Sequence, residues 1–294
     1  MRKLAAPLFI GLGAFLLVVA VVAQAWAADR LQRTPLDTDS TTLLSGEAQV
    51  GGPDQPTGPV RAWSINRADS EASDDDVVVW STSLCVVRDI DGIDGCVDVE
   101  DPQERLISAT AEAFATDRRT GVTVENGDYL PAETPQQEGL QNKWPFGAEK
   151  KTYPVWDDMV RGAVDATFEG TEDFDGLETY HYRAEASATG VEVTSGLQGS
   201  YEATTDYYIE PRTGTIIKQV VHQERAADGV GPILVMDLAF TDEQVQKNVD
   251  ETKANVSRLG LITDTVPMVG YVVGGVALAV GVLLILRRRG STDA

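Results

Sequence analysis

The chain has 294 residues, 43% of them hydrophobic, and a formal net charge of -22. Residues 29–265 carry 19 basic and 45 acidic groups, so this middle part has a net charge of -26. Such a surface repels phosphate backbones, which argues strongly against nucleic acid as a partner. We interpret the acidity mainly as a means of keeping a domain soluble, in preference to an acidic docking surface.

The first 28 residues form a hydrophobic segment with two open interpretations. Arg2 and Lys3 precede an apolar run over residues 4–23. The run is long enough to be a retained transmembrane anchor. It also fits a signal peptide cleaved after Ala25 or Ala27, because both positions obey the small-x-small rule. The run exceeds the usual signal core of ~7–15 residues, so we favour the retained anchor. Either interpretation places the middle of the chain outside the cytoplasm.

Residues 29–240 are predicted to form a β-rich domain. Residues 29–60 are polar, and the Gly- and Pro-rich stretch 51–59 predicts a surface loop. Residues 77–88 are β-branched and aromatic, so they predict the strand that begins the folded core. Further strands are predicted at 163–169, 177–186, 201–210, 215–225 and 233–240. The fold class is therefore mainly β (α+β), with a curved antiparallel sheet or partly closed barrel.

Cys85 and Cys96 are the only cysteines. In an exported domain, two cysteines this close together predict a disulfide that closes the tip of a hairpin. Asp89, Asp91 and Asp94 lie between them and invite a calcium interpretation. An EF-hand loop needs acidic ligands at positions 1, 3 and 5 and glycine at 6, and this segment falls out of that register. Asp-Gly turn chemistry explains the same residues, so the three aspartates stay secondary calcium candidates.

The segment 143–157 combines four aromatic residues with Pro145 and Pro154. Proline limits regular strand pairing, so the segment predicts an ordered loop or an edge strand. It could plug one end of the core, or it could line the mouth of an apolar cavity. For the second role, the candidate lipid-binding residues are Trp144, Phe146, Tyr153, Trp156, Phe168 and Tyr180.

Residues 241–262 are predicted to form one amphipathic connecting helix. Thr241 and Gln244 have the spacing of a capping box. Apolar or small residues then recur at helical spacing: Val245, Val249, Thr252, Val256 and Leu259.

Residues 263–289 are predicted to form a transmembrane helix. The stretch 266–286 carries no charge, and at 1.5 Å per residue it crosses a hydrocarbon core of ~30 Å. Arg287, Arg288 and Arg289 follow it. The positive-inside rule places them and the tail 290–294 in the cytoplasm, so the β-rich domain lies outside. Both termini are cytoplasmic if the first segment is retained.

Catalytic motifs are absent from the sequence. The only histidines, His181 and His222, lie inside strand patterns with no nucleophile motif nearby. The sequence contains no Gly-x-Ser-x-Gly, His-Glu-x-x-His, glycine-rich phosphate loop or paired-cysteine metal motif. We therefore predict a protein that is not an enzyme, with no cofactor.

The chain resembles an actinobacterial envelope protein family whose members are labelled either as an uncharacterised domain or as PorA family porins. The resemblance covers nearly the whole chain, including its anchors. It rests on five stretches: Trp144-Pro-Phe-Gly, Glu149-Lys-Lys-Thr-Tyr153, Trp156-Asp157, Ala166-Thr-Phe-Glu-Gly170 and Gly176-Leu-Glu-Thr-Tyr180. It implies no catalytic residues. It implies envelope assembly linked to lipomannan and lipoarabinomannan synthesis, and lipid binding.

These observations lead to three functional hypotheses. The first is a non-enzymatic, membrane-anchored extracytoplasmic protein that binds a lipid or lipoglycan precursor and assists envelope assembly. The second is a protein-interaction scaffold that regulates a membrane-embedded enzyme of envelope synthesis. We rank a pore last, because a pore barrel needs a lipid-facing apolar band and the strand region here is acidic.

Overall fold

The computed structural model describes residues 5–289, with all side chains except those of residues 27–29, 288 and 289. Arg2, Lys3 and the tail 290–294, on which part of the topology prediction rests, lie outside the described residues. The described chain forms two compact units. The sheet unit comprises residues 34–252, and the helical unit comprises residues 5–33 and 253–289.

Ten antiparallel strands make up the sheet unit, in the order β4-β3-β2-β1-β10-β9-β8-β7-β6-β5. Two meanders, β1 to β4 and β5 to β10, are joined where β1 pairs with β10. The predicted mainly β fold with a curled antiparallel sheet is confirmed. The strands are β1 Asp39–Val50, β2 Thr57–Asp69, β3 Val77–Arg88, β4 Leu106–Asp117, β5 Tyr153–Asp157, β6 Gly162–Phe174, β7 Leu177–Thr194, β8 Leu197–Glu210, β9 Thr215–Ala227 and β10 Gly231–Phe240.

In the middle of β7, one face of the sheet is apolar and the other is polar. Side chains alternate along a strand, and residues directly opposite each other on paired strands share a face. In β7, Tyr182, Ala184 and Ala186 are buried, whereas Arg183 and Glu185 between them are exposed. We call the face that carries Tyr182 the inner face and the opposite one the outer face. Because paired residues share a face, the strand register identifies the inner-face residues on all ten strands.

Two hydrophobic clusters cover most of the inner face. One is aromatic and lies on β5 to β8, where it is covered by the connection between β4 and β5. The other is aliphatic and lies on β1, β2, β3 and β10. The aliphatic cluster contains the buried residues Leu44, Ala48, Val60, Ala62, Val86, Leu234, Met236 and Leu238.

The two edge strands, β4 and β5, are connected by single bridges through the segment between them. Four backbone hydrogen bonds of 2.8–2.9 Å form this ladder: Val124 N to Ala115 O, Thr123 N to Gly139 O, Leu140 N to Pro154 O and Trp156 N to Leu140 O. At Gly139 φ is +73°, and a Cβ there would lie 2.6 Å from Pro154 O, so a side chain would break the ladder. The sheet is therefore a partly closed barrel.

The sequence predicts polar chain before the folded core over residues 29–60, but this segment contains β1 and the start of β2. The folded core begins at Asp39, not at Val77. Small buried residues such as Ala48 and Ala62 alternate with polar ones, so the strand signal is weak in composition. The predicted loop 51–59 is also shorter, because β2 starts at Thr57.

The predicted disulfide is present. Cys85 lies in β3 and Cys96 in the β3–β4 connection, with their Cα atoms 5.9 Å apart. It ties the connection to the strand it leaves.

Helix α3 (Asp242–Gly260) begins where the capping signal predicts. Gln244 N donates to Thr241 Oγ1 at 3.1 Å. The Gln244 side chain does not close the capping box, because its Oε1 accepts from Leu43 N at 3.1 Å in β1. Val245 and Val249 pack on Leu177 and Ile217. The amphipathic stripe thus covers part of the outer face.

In the helical unit, two apolar helices pack together through small residues. They are α1 (Ala5–Val22) and α4 (Val266–Arg289), and both belong to stretches long and apolar enough to cross a membrane. A Cβ on Gly13 would lie 2.7 Å from Gly274 O, and one on Gly270 would lie 2.8 Å from the Cβ of Ala20. Such close approach is typical of helix pairs in lipid. The remaining helical segments are a π-helical turn at Ala23–Ala27, the short α2 (Ala28–Leu31) and a π-helical turn at Leu261–Thr265.

Candidate functional site

The aromatic cluster of the inner face is built around Trp144. Its side chain is fully buried, with ring centroids 5.6 Å from Tyr182 and 4.8 Å from Tyr207. Trp144 N donates to Gly214 O at 2.9 Å in the β8–β9 turn. A Cβ on Gly214 would lie 2.0 Å from Trp144 O, so any side chain at position 214 would clash with the loop. The loop is therefore held against the sheet by backbone contacts as well as by its ring.

Two tyrosine hydroxyls hold the next turn of the same loop. Glu149 N donates to Tyr153 Oη at 2.9 Å, and Tyr182 Oη donates to Glu149 O at 2.7 Å. Burial raises the pKa of Tyr182 above its ordinary value, so the phenol stays a neutral donor. These contacts fasten the covering segment to β5 and β7.

The six predicted lipid-binding residues occupy three different environments. Trp144 and Tyr153 are buried in the aromatic cluster, and the half-buried Phe168 and Tyr180 pack against it edge to face, 5.6 Å apart. Phe146 is half-buried in the covering loop. Trp156 is half-buried at the junction of the edge strands. The structure does not gather all six on one surface.

Lys143 places a cation over Phe146. Its Nζ lies 3.4 Å from the centroid of the Phe146 ring. Burial lowers the pKa of the Lys143 ammonium to about 7. The protonated form is therefore disfavoured by its surroundings, although the ring face attracts it.

Part of the inner face is accessible to solvent beside the β4 edge. Leu84 in β3 is 38% exposed, and its partners in the register are Ser64 and Thr110. Leu43 in β1 has a similar exposure of 40% but lies on the outer face, opposite Trp63. The inner face therefore offers an apolar side chain that no neighbouring element covers completely.

A cleft of about 430 Å³ opens where β4 approaches the β5–β6 turn. We call it the seam cleft. It is lined by Ala111, Glu112, Ala113, Thr134, Pro135, Gln137, Trp156, Asp158 and Arg161.

The polar groups of the seam cleft form a connected set. Gln137 Nε2 donates to Glu112 Oε2 at 2.8 Å, and Trp156 Nε1 donates to Asp158 Oδ1. Desolvation by the surrounding protein and the neighbouring Glu112 carboxylate raise the pKa of Asp158 to about 6. Gln137 is buried, and its Oε1 has no hydrogen-bond partner among the described residues.

Sequence reasoning missed most of the seam cleft. The alternation along β4 could have indicated Glu112, because this residue is in phase with Phe114 and therefore faces inward. Gln137 and Asp158 lie outside regular elements, and only the closure of the sheet brings them to β4. Of the predicted residues, Trp156 alone lines the cleft.

A smaller cleft of about 210 Å³ lies between the β1–β2 turn and the start of the β3–β4 connection. Asp89, one of its lining residues, accepts from Arg61 Nε at 2.8 Å. Within residues 5–289, no three His, Cys, Asp or Glu side chains are grouped so that they could hold a metal ion. The turn interpretation of Asp89, Asp91 and Asp94 agrees with the positive φ of +59° at Asp91.

Both histidines lie on the outer face, each within hydrogen-bond distance of a carboxylate. His181 Nε2 is 2.6 Å from Asp206 Oδ1, and the His181 ring stacks on Tyr208 at 4.7 Å. Arg183 binds the same carboxylate at 2.9 Å. His222 Nδ1 is 2.8 Å from Asp237 Oδ1. These contacts give both side chains a structural role.

The fold and its helices define a class of protein: a curled, partly closed β-sheet domain in a chain with two helices able to span a membrane. The family model described as Porin PorA matches residues 5–283, so the chain belongs to the PorA family. This finding confirms the resemblance found in the sequence, and together with the two helices it indicates a membrane protein.

Two individual proteins show how far the similarity extends. A protein named Porin PorA from Corynebacterium amycolatum is 24% identical over an alignment of length 250, and the match covers 71% of this chain. The match spans 61% of the length of that relative. A LolA superfamily protein of known structure from Nitrosomonas europaea has 12% identity and a TM-score of 0.16, over 74% of this chain and 92% of that one. At that score the likeness carries no structural argument.

Proposed function

We propose that this chain is a non-enzymatic, membrane-anchored protein whose β-sheet domain lies outside the cytoplasm and binds a lipid or lipoglycan precursor during envelope assembly. The observation that carries the proposal is the exposed part of the inner face at Leu84. An apolar surface on the inside of a curled sheet is where an acyl chain gains most from leaving water, at ~0.8 kcal/mol per methylene.

The aromatic cluster supports this proposal as one wall of the inner face. Trp144 and Tyr153 are buried, so they support the accessible side chains without touching a ligand themselves. Phe168 and Tyr180 are half-buried and offer ring surface to a ligand. Candidate contacts with the lipid therefore fall on these two rings and on Leu84.

The proposal is tested by lipid co-purification with the full-length protein. The chain is extracted in a mild detergent from a lipid-containing host, and bound lipid is identified by native mass spectrometry. We expect a stoichiometric lipid that Leu84→Asp removes. Leu43→Asp is the matched control, because it has similar exposure on the other face. If the folded wild-type protein carries no lipid, or if both variants carry it equally, the carrier function is wrong.

The charge of the chain favours one alternative, an interaction scaffold for a membrane enzyme of envelope synthesis. Residues 29–265 carry a net charge of -26, which would suit a basic partner. A lipid-free but folded protein would favour this function.

A pore formed by the strands ranks last. The outer face of β7 presents Arg183 and Glu185, whereas strands in contact with lipid need an apolar outward band.

A further inference from the structure

We propose that the seam cleft binds a hydroxyl-rich ring of saccharide size, which stacks on Trp156 and is hydrogen-bonded by Gln137, Glu112 and Asp158. The inference deepens the proposed function: it names the polar headgroup of a ligand whose acyl chain lies on the inner face. It rests on that function only for the acyl part. Glu112 and Leu84 lie on the same face of neighbouring strands, so one wall of the cleft belongs to the face proposed for the acyl chain.

The first argument is an acceptor without a donor. Gln137 is 6% exposed and lines the cleft, and its Nε2 is already bound to Glu112. Its Oε1 is buried without a partner among the described residues. A buried acceptor left unsatisfied costs ~1–3 kcal/mol. A ligand hydroxyl in the cleft supplies the missing donor.

The second argument is the excess of acceptors on both walls. Glu112 comes from β4 and Asp158 from the β5–β6 turn, and their carboxyl groups are close enough to hydrogen-bond when one is protonated. Two carboxylates and an amide oxygen call for several O–H donors at once. A polyol provides them without bringing a charge into the cleft.

The third argument is the shape of the lining. The indole of Trp156 is half-exposed, and its Nε1–H is fixed on Asp158, which sets the orientation of the ring. Ala111, Ala113 and Pro135 add apolar surface. A sugar ring presents C–H groups on its faces and hydroxyls at its edge, so it fits an aromatic platform bordered by acceptors. The volume of about 430 Å³ lies in the range of small-ligand sites.

A metal ion fits the same residues less well. Calcium takes ~6–8 oxygen ligands and usually several carboxylates. The cleft offers two carboxylates, fewer than a calcium site usually has, and Arg161 is one of its lining residues.

The test uses the full-length protein in detergent and two probes without acyl chains, methyl α-D-glucopyranoside and myo-inositol. Cyclohexanol serves as a ring with a single hydroxyl. Binding is followed by saturation-transfer NMR and by tryptophan fluorescence. We expect saturable binding of at least one polyol and none of cyclohexanol. Trp156→Ala and Gln137→Leu should each weaken it about tenfold or more, equivalent to ~1.4 kcal/mol.

Trp63→Ala is the matched control, since Trp63 is half-buried on the outer face and should leave binding unchanged. Asp158→Asn keeps the size of the side chain and should also weaken binding, so it serves if the larger truncations unfold. Circular dichroism establishes that each variant is folded.

Three outcomes would overturn the proposal: no saturable polyol binding by the folded wild-type protein, binding that survives Trp156→Ala, or calcium binding lost in Asp158→Asn without any polyol binding. Lipid co-purification separates this proposal from the broader one. A protein that carries lipid but binds no polyol keeps the carrier function and loses the headgroup site. A protein that binds a polyol but carries no lipid keeps the headgroup site and loses the carrier function.

Discussion

At the residue scale, Lys143 makes stability depend on pH in a predictable direction. Its folded pKa of about 7 lies below the ordinary value of 10.5, so the unfolded chain binds more protons between these limits. Stability then rises with pH across that window, and the penalty is fully present below pH 7. Lys143→Met keeps the apolar stem and removes the charge.

We expect Lys143→Met to raise the free energy of unfolding by about 1–5 kcal/mol below pH 7, with the gain shrinking towards pH 10.5. The upper limit corresponds to ~1.4 kcal/mol for each pKa unit of the shift. Chemical denaturation of the detergent-solubilised protein at several pH values measures it. Lys150→Met, at an exposed lysine of the same loop, is the matched comparison variant. A gain that is the same at every pH would contradict this explanation.

Residue type alone did not show which aromatic side chains are buried in the core and which remain accessible to a ligand. Trp144 and Trp156 lie in one short aromatic segment, each within two residues of a proline. Only the pairing of the segment with β5 and the β8–β9 turn buries the first and leaves the second half-exposed. Such contacts between distant parts of the chain leave no local pattern.

At the element scale, alternation and capping signals predicted what they encode directly. Strand β3, the start of α3 at Thr241 and the apolar span of α4 follow from short-range patterns. β1 and β2 were missed because small residues, among them Gly46, Ala48 and Ala62, occupy several of their inner positions, and such residues add little to a hydrophobicity count. The ladder through Gly139 could not be predicted, since each of its bridges involves one or two residues.

The contact between α1 and α4 makes a second prediction. A Cβ on Gly270 would lie 2.8 Å from the Cβ of Ala20. The Cβ atoms of a disulfide are ~3.5–4.5 Å apart, so a small separation of the helices brings two cysteines to disulfide distance. We expect Ala20→Cys with Gly270→Cys to cross-link under mild oxidation in native membranes, seen as a mobility shift on reducing against non-reducing gels.

Ala20→Cys with Gly275→Cys is the matched control. A Cβ on Gly275 meets no atom within 4 Å, so this pair should not react. Equal cross-linking of both pairs would refute the packing. Loss of the N-terminal segment from the mature protein would also do so, since the retained anchor would then be wrong.

At the scale of the whole molecule, family and fold class could be predicted from the sequence, and the orientation in the membrane is still a proposal. The proposed orientation rests on Arg287, Arg288 and Arg289, and the side chains of the last two lie outside the described set. A cysteine at Ser187, exposed on the outer face of β7, reports the orientation directly.

We expect Ser187→Cys to react with a membrane-impermeant maleimide in intact spheroplasts, because the sheet domain is proposed to lie outside the cytoplasm. Cys85 and Cys96 are joined and give no background. A cysteine placed in the tail 290–294 is the control and should react only after lysis. Labelling in the opposite order would invert the proposed topology.

The pairing of β1 with β10 also sets the order in which this domain can be completed. Leu44 and Phe240 are neighbours in the sheet but 196 residues apart in the chain. At synthesis rates of ~5–20 residues per second, β1 waits about 10–40 s for its partner. During that interval the first four strands expose an unpaired backbone edge and an uncovered aliphatic face, which together favour aggregation. Shielding of this edge and face, by a chaperone or by a membrane surface, would protect the chain until the two meanders join.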